Sequence, residues 1–246
     1  MHAIVIPFRG PGSAKSRLAS GVTDTARRQI ARGMFQHVLN VACEVSGHRR
    51  VLVVTASKTA AAIARRCGAG VLRETTAGHN EAVAEAIDHL RTRGATTAAV
   101  VAADLPLLKA SNLAVLERCA RDGNVGIAPD RSGSGTNALT LPLSLAFKFH
   151  FGSDSLYRHQ REGRRLGVNV RLVRQPGLAS DVDTPADLDL LSDPAALSTL
   201  PSVGVMAYRG PSFAGAILNA ALFRLQNGEA EIGEQCFEQS WSVAHD

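Results

Sequence analysis

The chain has 246 residues, 45% of them hydrophobic and 20% charged, with 27 Lys and Arg against 22 Asp and Glu. A chain of that length buries a core without staples, and its 4 cysteines (Cys43, Cys67, Cys119 and Cys236) are widely spaced with no C-x-x-C pair, which argues against a disulfide scaffold or a zinc site. The net charge of +5 is scattered over helical segments with few aromatics, so the surface suits anionic metabolites rather than nucleic acid.

Taken in order, short Val-rich runs alternate with longer amphipathic stretches. No segment approaches the ~20 apolar residues that span a bilayer, and the N-terminus shows neither a basic leader nor a cleavage site. A cytoplasmic protein with no membrane and no nucleic-acid partner is expected. The first strand, 4–7, opens into Pro7-Phe8-Arg9-Gly10-Pro11-Gly12-Ser13-Ala14-Lys15-Ser16-Arg17-Leu18. Two glycines allow backbone to approach a ligand, and Arg9, Lys15 and Arg17 add positive charge. That combination suits a triphosphate, although a solvated basic turn would read the same way. Neither the Walker A nor the dinucleotide-binding spacing is met.

Helical spacing follows over 23–44, 58–66, 80–93 and 112–121, with strands over 51–55, 70–73 and 98–102 between them. Gly78-His79-Asn80 opens the third of these helices, where Asn80 can read a base or cap the helix. The strand at 98–102 ends in Ala103-Asp104-Leu105-Pro106. A carboxylate leaving a buried strand there is placed to hold Mg²⁺, or is a turn aspartate. Runs 125–128 and 137–141 form a strand pair around Asp130-Arg131-Ser132-Gly133-Ser134-Gly135-Thr136, whose hydroxyls and amides could wrap an anionic acid or simply form a mobile turn. Phe151-Gly152-Ser153-Asp154-Ser155 leads into a helix over 153–165. Ser153 or Asp154 is a cap candidate, and the helix N-terminus is a receiver for carboxylate or phosphate.

After a strand at 168–173 comes Asp181-Val182-Asp183-Thr184-Pro185. Alternating carboxylates in an extended segment project to one side and can bind one or two Mg²⁺. Thr184 and Pro185 also make a good start for a helix over 185–191. Alternation of strands and helices implies an α/β fold with a mostly parallel central sheet, in which ligands sit outside the carboxyl ends of strands. No Ser-His-Asp or Cys-His constellation emerges, and the 8 histidines lack metal-ligand spacing, so they read as surface or satisfied core residues. Metals, cations and positioning are favoured over covalent catalysis. Beyond Asp193 the character changes to a Ser/Pro/Gly-broken stretch, one more helical segment over 214–225 and a Glu-rich end. The expected division is a catalytic domain over 1–193 and an extension over 194–246.

The ordered set Pro7 with Ala14-Lys15-Ser16-Arg17-Leu18, Gly78-His79-Asn80, Ala103-Asp104-Leu105-Pro106-Leu107, Gly135-Thr136-Asn137-Ala138-Leu139, Phe151-Gly152-Ser153-Asp154-Ser155 and Asp181-Val182-Asp183-Thr184-Pro185 resembles the CofC/FbiD family of guanylyltransferases of coenzyme F420 biosynthesis, over roughly residues 3–191. The resemblance implies a three-layer nucleotidyltransferase fold, Rossmann-like and similar to the GT-A fold. It also implies that GMP passes from GTP to 2-phospho-L-lactate, phosphoenolpyruvate or 3-phospho-D-glycerate, with release of pyrophosphate. Carried over by motif, Thr136, Gly152 and Ser155 hold the acid, and Asp104, Asp181 and Asp183 hold Mg²⁺. Lys15 and Arg17 face the triphosphate, with Arg9 beside them, and Asn80 lies on the nucleotide side. A homodimer is expected by base rate and by resemblance, with the product passing to the next enzyme of the pathway. Arg9 stands where many relatives show Lys, His79 replaces a usual apolar residue, and Ser132 and Ser134 sit in a loop often richer in Gly. The rival readings are a GT-A-like glycosyltransferase, because Asp181-Val182-Asp183 is a D-x-D, and a non-catalytic GTP-binding module.

Overall fold

Five successive buried residues in β1 (His2–Pro7) leave no face for water, so this strand belongs at the centre of a sheet covered on both sides. β2 (Val51–Thr55), β4 (Thr97–Val101) and β5 (Val125–Pro129) are buried at every position for the same reason. In the computed structural model, residues 1–10, 23–74 and 78–192 are described. The remaining strands are β3 (Gly70–Arg73), β6 (Thr136–Pro142) and β7 (Val170–Leu172). They assemble in the order β3-β2-β1-β4-β6-β5-β7. Neighbours pair in parallel except around β6, which runs antiparallel to both β4 and β5. The short 130–135 connection explains the exception, because only an antiparallel return can be closed so tightly.

Successive residues of β1 point to opposite layers. Ile4 and Ile6 pack with α1 (Asp24–Ser46), α2 (Lys58–Arg66), α4 (Ala110–Arg121) and the short α6 (Pro176–Ala179), through Phe35, Leu39, Ile63, Leu116 and Leu178. Ala3 and Val5 face the other layer. There α3 (His79–Thr92) contributes Val83, Ile87 and Leu90, and the segment leading to α5 (Ser155–Arg165) contributes Phe147 and Phe149. Local signals place the helices. Thr23 Oγ1 accepts from Ala26 N–H at 3.3 Å at the start of α1, and Ser57 Oγ accepts from Ala60 N–H at 3.3 Å at the start of α2.

The helix expected over 153–165 begins at Ser155 instead. Gly152 has φ 117° and Asp154 has φ 54°, and Asp154 is the single non-glycine residue with positive φ among the described residues. Such angles cannot continue into a helix. The strand expected over 168–173 shortens to β7, and a 3₁₀ turn (His48–Arg50) and α6 appear where the sequence suggested none. The last helix of the described residues is α7 (Pro185–Ser192). The 194–246 extension, Lys15 and Arg17 lie outside the described residues. No described helix is long and apolar enough to cross a membrane.

One irregularity positions the site. Ala128 pairs with Ala138, but the next residue of β5, Pro129, pairs with Thr136. Asn137 is therefore an extra residue in β6, a β-bulge. Regular alternation would put Thr136 on the same face as Ala138. The bulge turns it to the opposite face, toward α5, and leaves Asn137 directed with Ala138 toward α6.

Candidate active site

The carboxyl ends of β1 and β4 and the start of β6 meet at one edge of the sheet. There they frame a cleft of ≈ 310 Å³ whose lining includes Phe8, Arg9, Asp104, Thr136, Phe151 and Asp183. Phe8 is fixed by stacking on Phe35, ring centres 4.4 Å apart. The chain then turns at Gly10, with φ 109°, where an added Cβ would lie 2.7 Å from Ser57 Cβ. Arg9 reaches Glu74 at 3.7 Å, and its side chain is 59% exposed. That pairing is weak and leaves the guanidinium at the mouth of the cleft.

Two acidic segments come together on the other side. Val182 is fully buried and its N–H donates to Asp104 C=O at 3.3 Å, so the loop after β4 and the 181–183 segment are joined through backbone. With Val182 turned inward, the side chains of Asp181 and Asp183 are directed away from the core. Asp104 and Asp183 line the cleft, and Asp181 is held just behind it by Asn137, whose Nδ2 donates to Asp181 Oδ1 at 2.9 Å and to Leu178 C=O at 3.0 Å. Burial pushes the Asp181 carboxyl above its usual range. The neighbouring charges of Asp104 and Asp183 push the same way, and the Asn137 hydrogen bond opposes them. Three carboxylates thus share one field. Among the described residues, no group of three or more His, Cys, Asp or Glu side chains is placed to hold a metal ion by itself. Carboxylates at the edge of a cleft are the donor type that Mg²⁺ takes, with waters and substrate phosphates completing its shell.

The segment is stiffened from below. Asp187 accepts from Asp183 N–H at 3.0 Å and from Thr184 N–H and Oγ1 at 2.8 Å, while Asp187 N–H donates to Thr184 Oγ1 at 3.4 Å. This is a reciprocal cap at the start of α7. Arg131 donates to Asp187 at 3.2 Å and links the cap to the β5–β6 loop.

Thr136 stands on the far side of β6, its Oγ1 3.1 Å from His159 Nδ1. His159 Nε2 in turn accepts from His150 N–H at 2.9 Å. Ser155, one turn before His159, is 2% exposed, and Leu156 N–H donates to Ser134 C=O at 3.1 Å. The first turn of α5 is thereby tied to the loop that delivers Thr136. Within that loop the Asp130 carboxylate accepts from Ser134 N–H at 2.9 Å and from Ser132 Oγ at 2.8 Å. Asn80 is not a cap: Gly78 occupies that position. Both ends of its amide hold the backbone of Phe151, Oδ1 accepting from Phe151 N–H at 2.7 Å and Nδ2 donating to Phe151 C=O at 3.2 Å. Asn137 and His159 were not singled out from the sequence. The available signal for His159 was its place four residues after Ser155, which puts both on one helix face.

Two buried imidazoles give the fold a pH signature. Burial lowers His159 from 6.5 to about 3 and His2 from 6.5 to about 4. Between those values and 6.5 the unfolded chain binds protons that the folded one does not, so stability is present above pH 6.5 and is lost as the pH falls below it. Glu162, held down to about 2 by its hydrogen bonds with Arg165, gives a further loss between 4.5 and about 2. The melting temperature should be flat above about pH 7 and decline steadily toward about pH 4. Thermal denaturation across that range checks it, and a rise on acidification would contradict the neutral, buried state of the two histidines.

None of the described residues lining the cleft is Ser, Cys or Lys. A reaction here suits a nucleophile that arrives with the substrate, as in nucleotidyl transfer. Solved structures of low sequence identity share the fold. A candidate nucleotide-diphospho-sugar transferase from Desulfovibrio desulfuricans is 12% identical with a TM-score of 0.67, covering 94% of this chain and 99% of that one. A cytidylyltransferase from Leptospira borgpetersenii is 14% identical with a TM-score of 0.52, covering 94% and 99%. The protein is a nucleotidyltransferase. More particularly, it belongs to the family described as guanylyl transferase CofC like, whose model matches residues 2–192. A relative from Chloroflexus aggregans, named phosphoenolpyruvate guanylyltransferase, is 36% identical over 187 residues, which span 74% of this chain and 93% of the relative.

Proposed function

We propose that this guanylyltransferase moves GMP from GTP to phosphoenolpyruvate. A phosphate oxygen of the acid attacks the α-phosphorus of GTP, the bond from that phosphorus to the bridging β-phosphate oxygen breaks, and pyrophosphate leaves. The observation that carries this reading is a cleft with carboxylates on one side of β6 and a hydroxyl-bearing corner on the other, in a chain whose relatives carry the phosphoenolpyruvate name. Thr136, with Gly152 and Ser155 at the start of α5, receives the carboxylate and phosphate of the acid. Arg9, Lys15 and Arg17 face the triphosphate, and Asn80 serves the nucleotide side by holding Phe151 in the wall. Asp104, Asp181 and Asp183 would hold Mg²⁺, which supplies charge neutralisation of the phosphates. The side chains then do two things, in-line positioning and offsetting of charge. The product, an activated diphosphate ester of guanosine, would be handed to the next enzyme, and a homodimer is the assembly proposed.

The test is pyrophosphate release from GTP and Mg²⁺ with phosphoenolpyruvate, 2-phospho-L-lactate and 3-phospho-D-glycerate in separate reactions, with mass detection of product. Release with phosphoenolpyruvate and the matching guanosine-diphospho product is expected. Release with one of the other acids would keep the reaction and change the acid. Silence with all three, while a nucleotide sugar is consumed, would make Asp181 and Asp183 a glycosyltransferase pair instead.

A further inference from the structure

His159 is fully buried between β6 and the loop before α5, with Phe151 edge-on at 4.8 Å and Phe147 tilted at 5.9 Å between ring centres. Both ring nitrogens are engaged. Nε2 lies 2.9 Å from the N–H of His150, a backbone group that can only donate, so Nε2 carries no proton. In a neutral ring the proton then sits on Nδ1, which faces Thr136 Oγ1 at 3.1 Å. Nδ1–H donates, and the threonine hydroxyl accepts. A hydroxyl has a single proton, and with His159 supplying the donor at this contact, the Thr136 proton is available to the cleft that Thr136 lines.

We propose that His159 is a positioning residue that fixes the polarity of Thr136, making its hydroxyl a hydrogen-bond donor toward the anionic acid. Without a donor behind it, the same hydroxyl could turn its proton away and offer the anion a lone pair. The backbone of His150 sets the tautomer, His159 passes that choice across the ring, and Thr136 delivers it, so a backbone amide is linked to the cleft through two side chains. Burial, which disfavours a charged ring, works with this arrangement. The inference rests on the reading that Thr136 receives the acid.

Two conservative variants separate polarity from packing. In His159→Gln the terminal amide reaches the place of Nε2 and can still accept from His150 N–H, but the donor to Thr136 is lost. In His159→Asn the amide stands at the place of Nδ1 and can still donate to Thr136, but the acceptor for His150 N–H is lost. Thr136→Val removes the hydroxyl itself. Steady-state kinetics with GTP and phosphoenolpyruvate should show the acid KM raised on the order of tenfold in Thr136→Val. The rise should be similar in His159→Gln and should not grow further when the two are combined. KM for GTP should be unchanged in each, and His159→Asn, which keeps a donor at the place of Nδ1, should raise the acid KM less than His159→Gln does. If Thr136→Val raises the acid KM and His159→Gln does not, the inference fails while the reading of Thr136 stands. If Thr136→Val leaves it unmoved, the reading of Thr136 fails. Equal damage to both substrates in both His159 variants would reduce His159 to packing and overturn the proposal. Should the variants not fold, ¹⁵N NMR of the unsubstituted protein still decides. A proton on Nδ1 with Nε2 bare is expected, and a proton on Nε2 would overturn it.

Discussion

Asp104→Asn is expected to lower kcat by roughly 10²–10⁴-fold, on the order of 3–5 kcal/mol, with the fold intact. The change keeps the shape of a side chain that lines the cleft and removes only its charge. The main-chain bond from Val182 N–H to Asp104 C=O, which holds the two acidic segments together, does not depend on that charge. Two phosphate-bearing substrates meeting in one cleft repel each other, and the charge that develops on the departing pyrophosphate adds to the problem. An acidic set that gathers a divalent cation answers it, so losing one carboxylate should be felt in turnover more than in binding. Pyrophosphate release at saturating GTP, with a melting curve beside it, checks the prediction. Turnover within a few-fold of the parent in a folded protein would remove Asp104 from the catalytic machinery.

The second large effect is expected at a residue that touches no phosphate. Asn137→Leu should destabilise the protein by about 2–4 kcal/mol and depress turnover as well. Leucine matches asparagine in heavy-atom count and branching, though its two methyl groups are bulkier and add a packing cost. What disappears is one Nδ2 that serves two acceptors, the carbonyl of buried Leu178 and the carboxylate of Asp181. Each would be left in a poorly solvated place without its donor, and Asp181 already sits in the field of Asp104 and Asp183. Urea unfolding gives the stability and the same assay gives the turnover. A loss below about 0.5 kcal/mol would show that water replaces the amide without cost.

Element positions were largely legible because local chemistry writes them. Val51–Thr55 and Lys58–Arg66 stand where pattern reading puts them, one as an apolar run and the other behind the Ser57 cap. That Asp104 and Asp183 would meet at one cleft was legible for a related reason: an α/β sheet brings the ends of distant strands to one edge, so residues just past strands are the ones to question. Side-chain partnerships across the fold were not legible. Asn80 meets Phe151 and Asn137 meets Asp181 through pairings far apart in sequence, which no local pattern encodes. The histidines as a group read as surface or satisfied core; His159 is buried, yet one of its nitrogens meets a residue of the cleft. The start of α5 was misplaced because a positive φ at Asp154 is not written in its identity.

The extra residue at Asn137 makes register, rather than composition, the fragile property of this stretch. Adding or removing residues at the exposed tip, 131–134, changes a loop and leaves the two faces of β6 where they are. Straightening the ladder with Asn137 kept as an ordinary strand residue would rotate Thr136 onto the face of Ala138, away from α5. It would also leave Leu178 and Asp181 without their amide. Both halves of the cleft would be lost to a one-residue shift of register, with every named motif still spelled out. Homologous chains aligned through this region should therefore be compared by the face each residue occupies, since a gap one position to either side changes which layer a threonine serves.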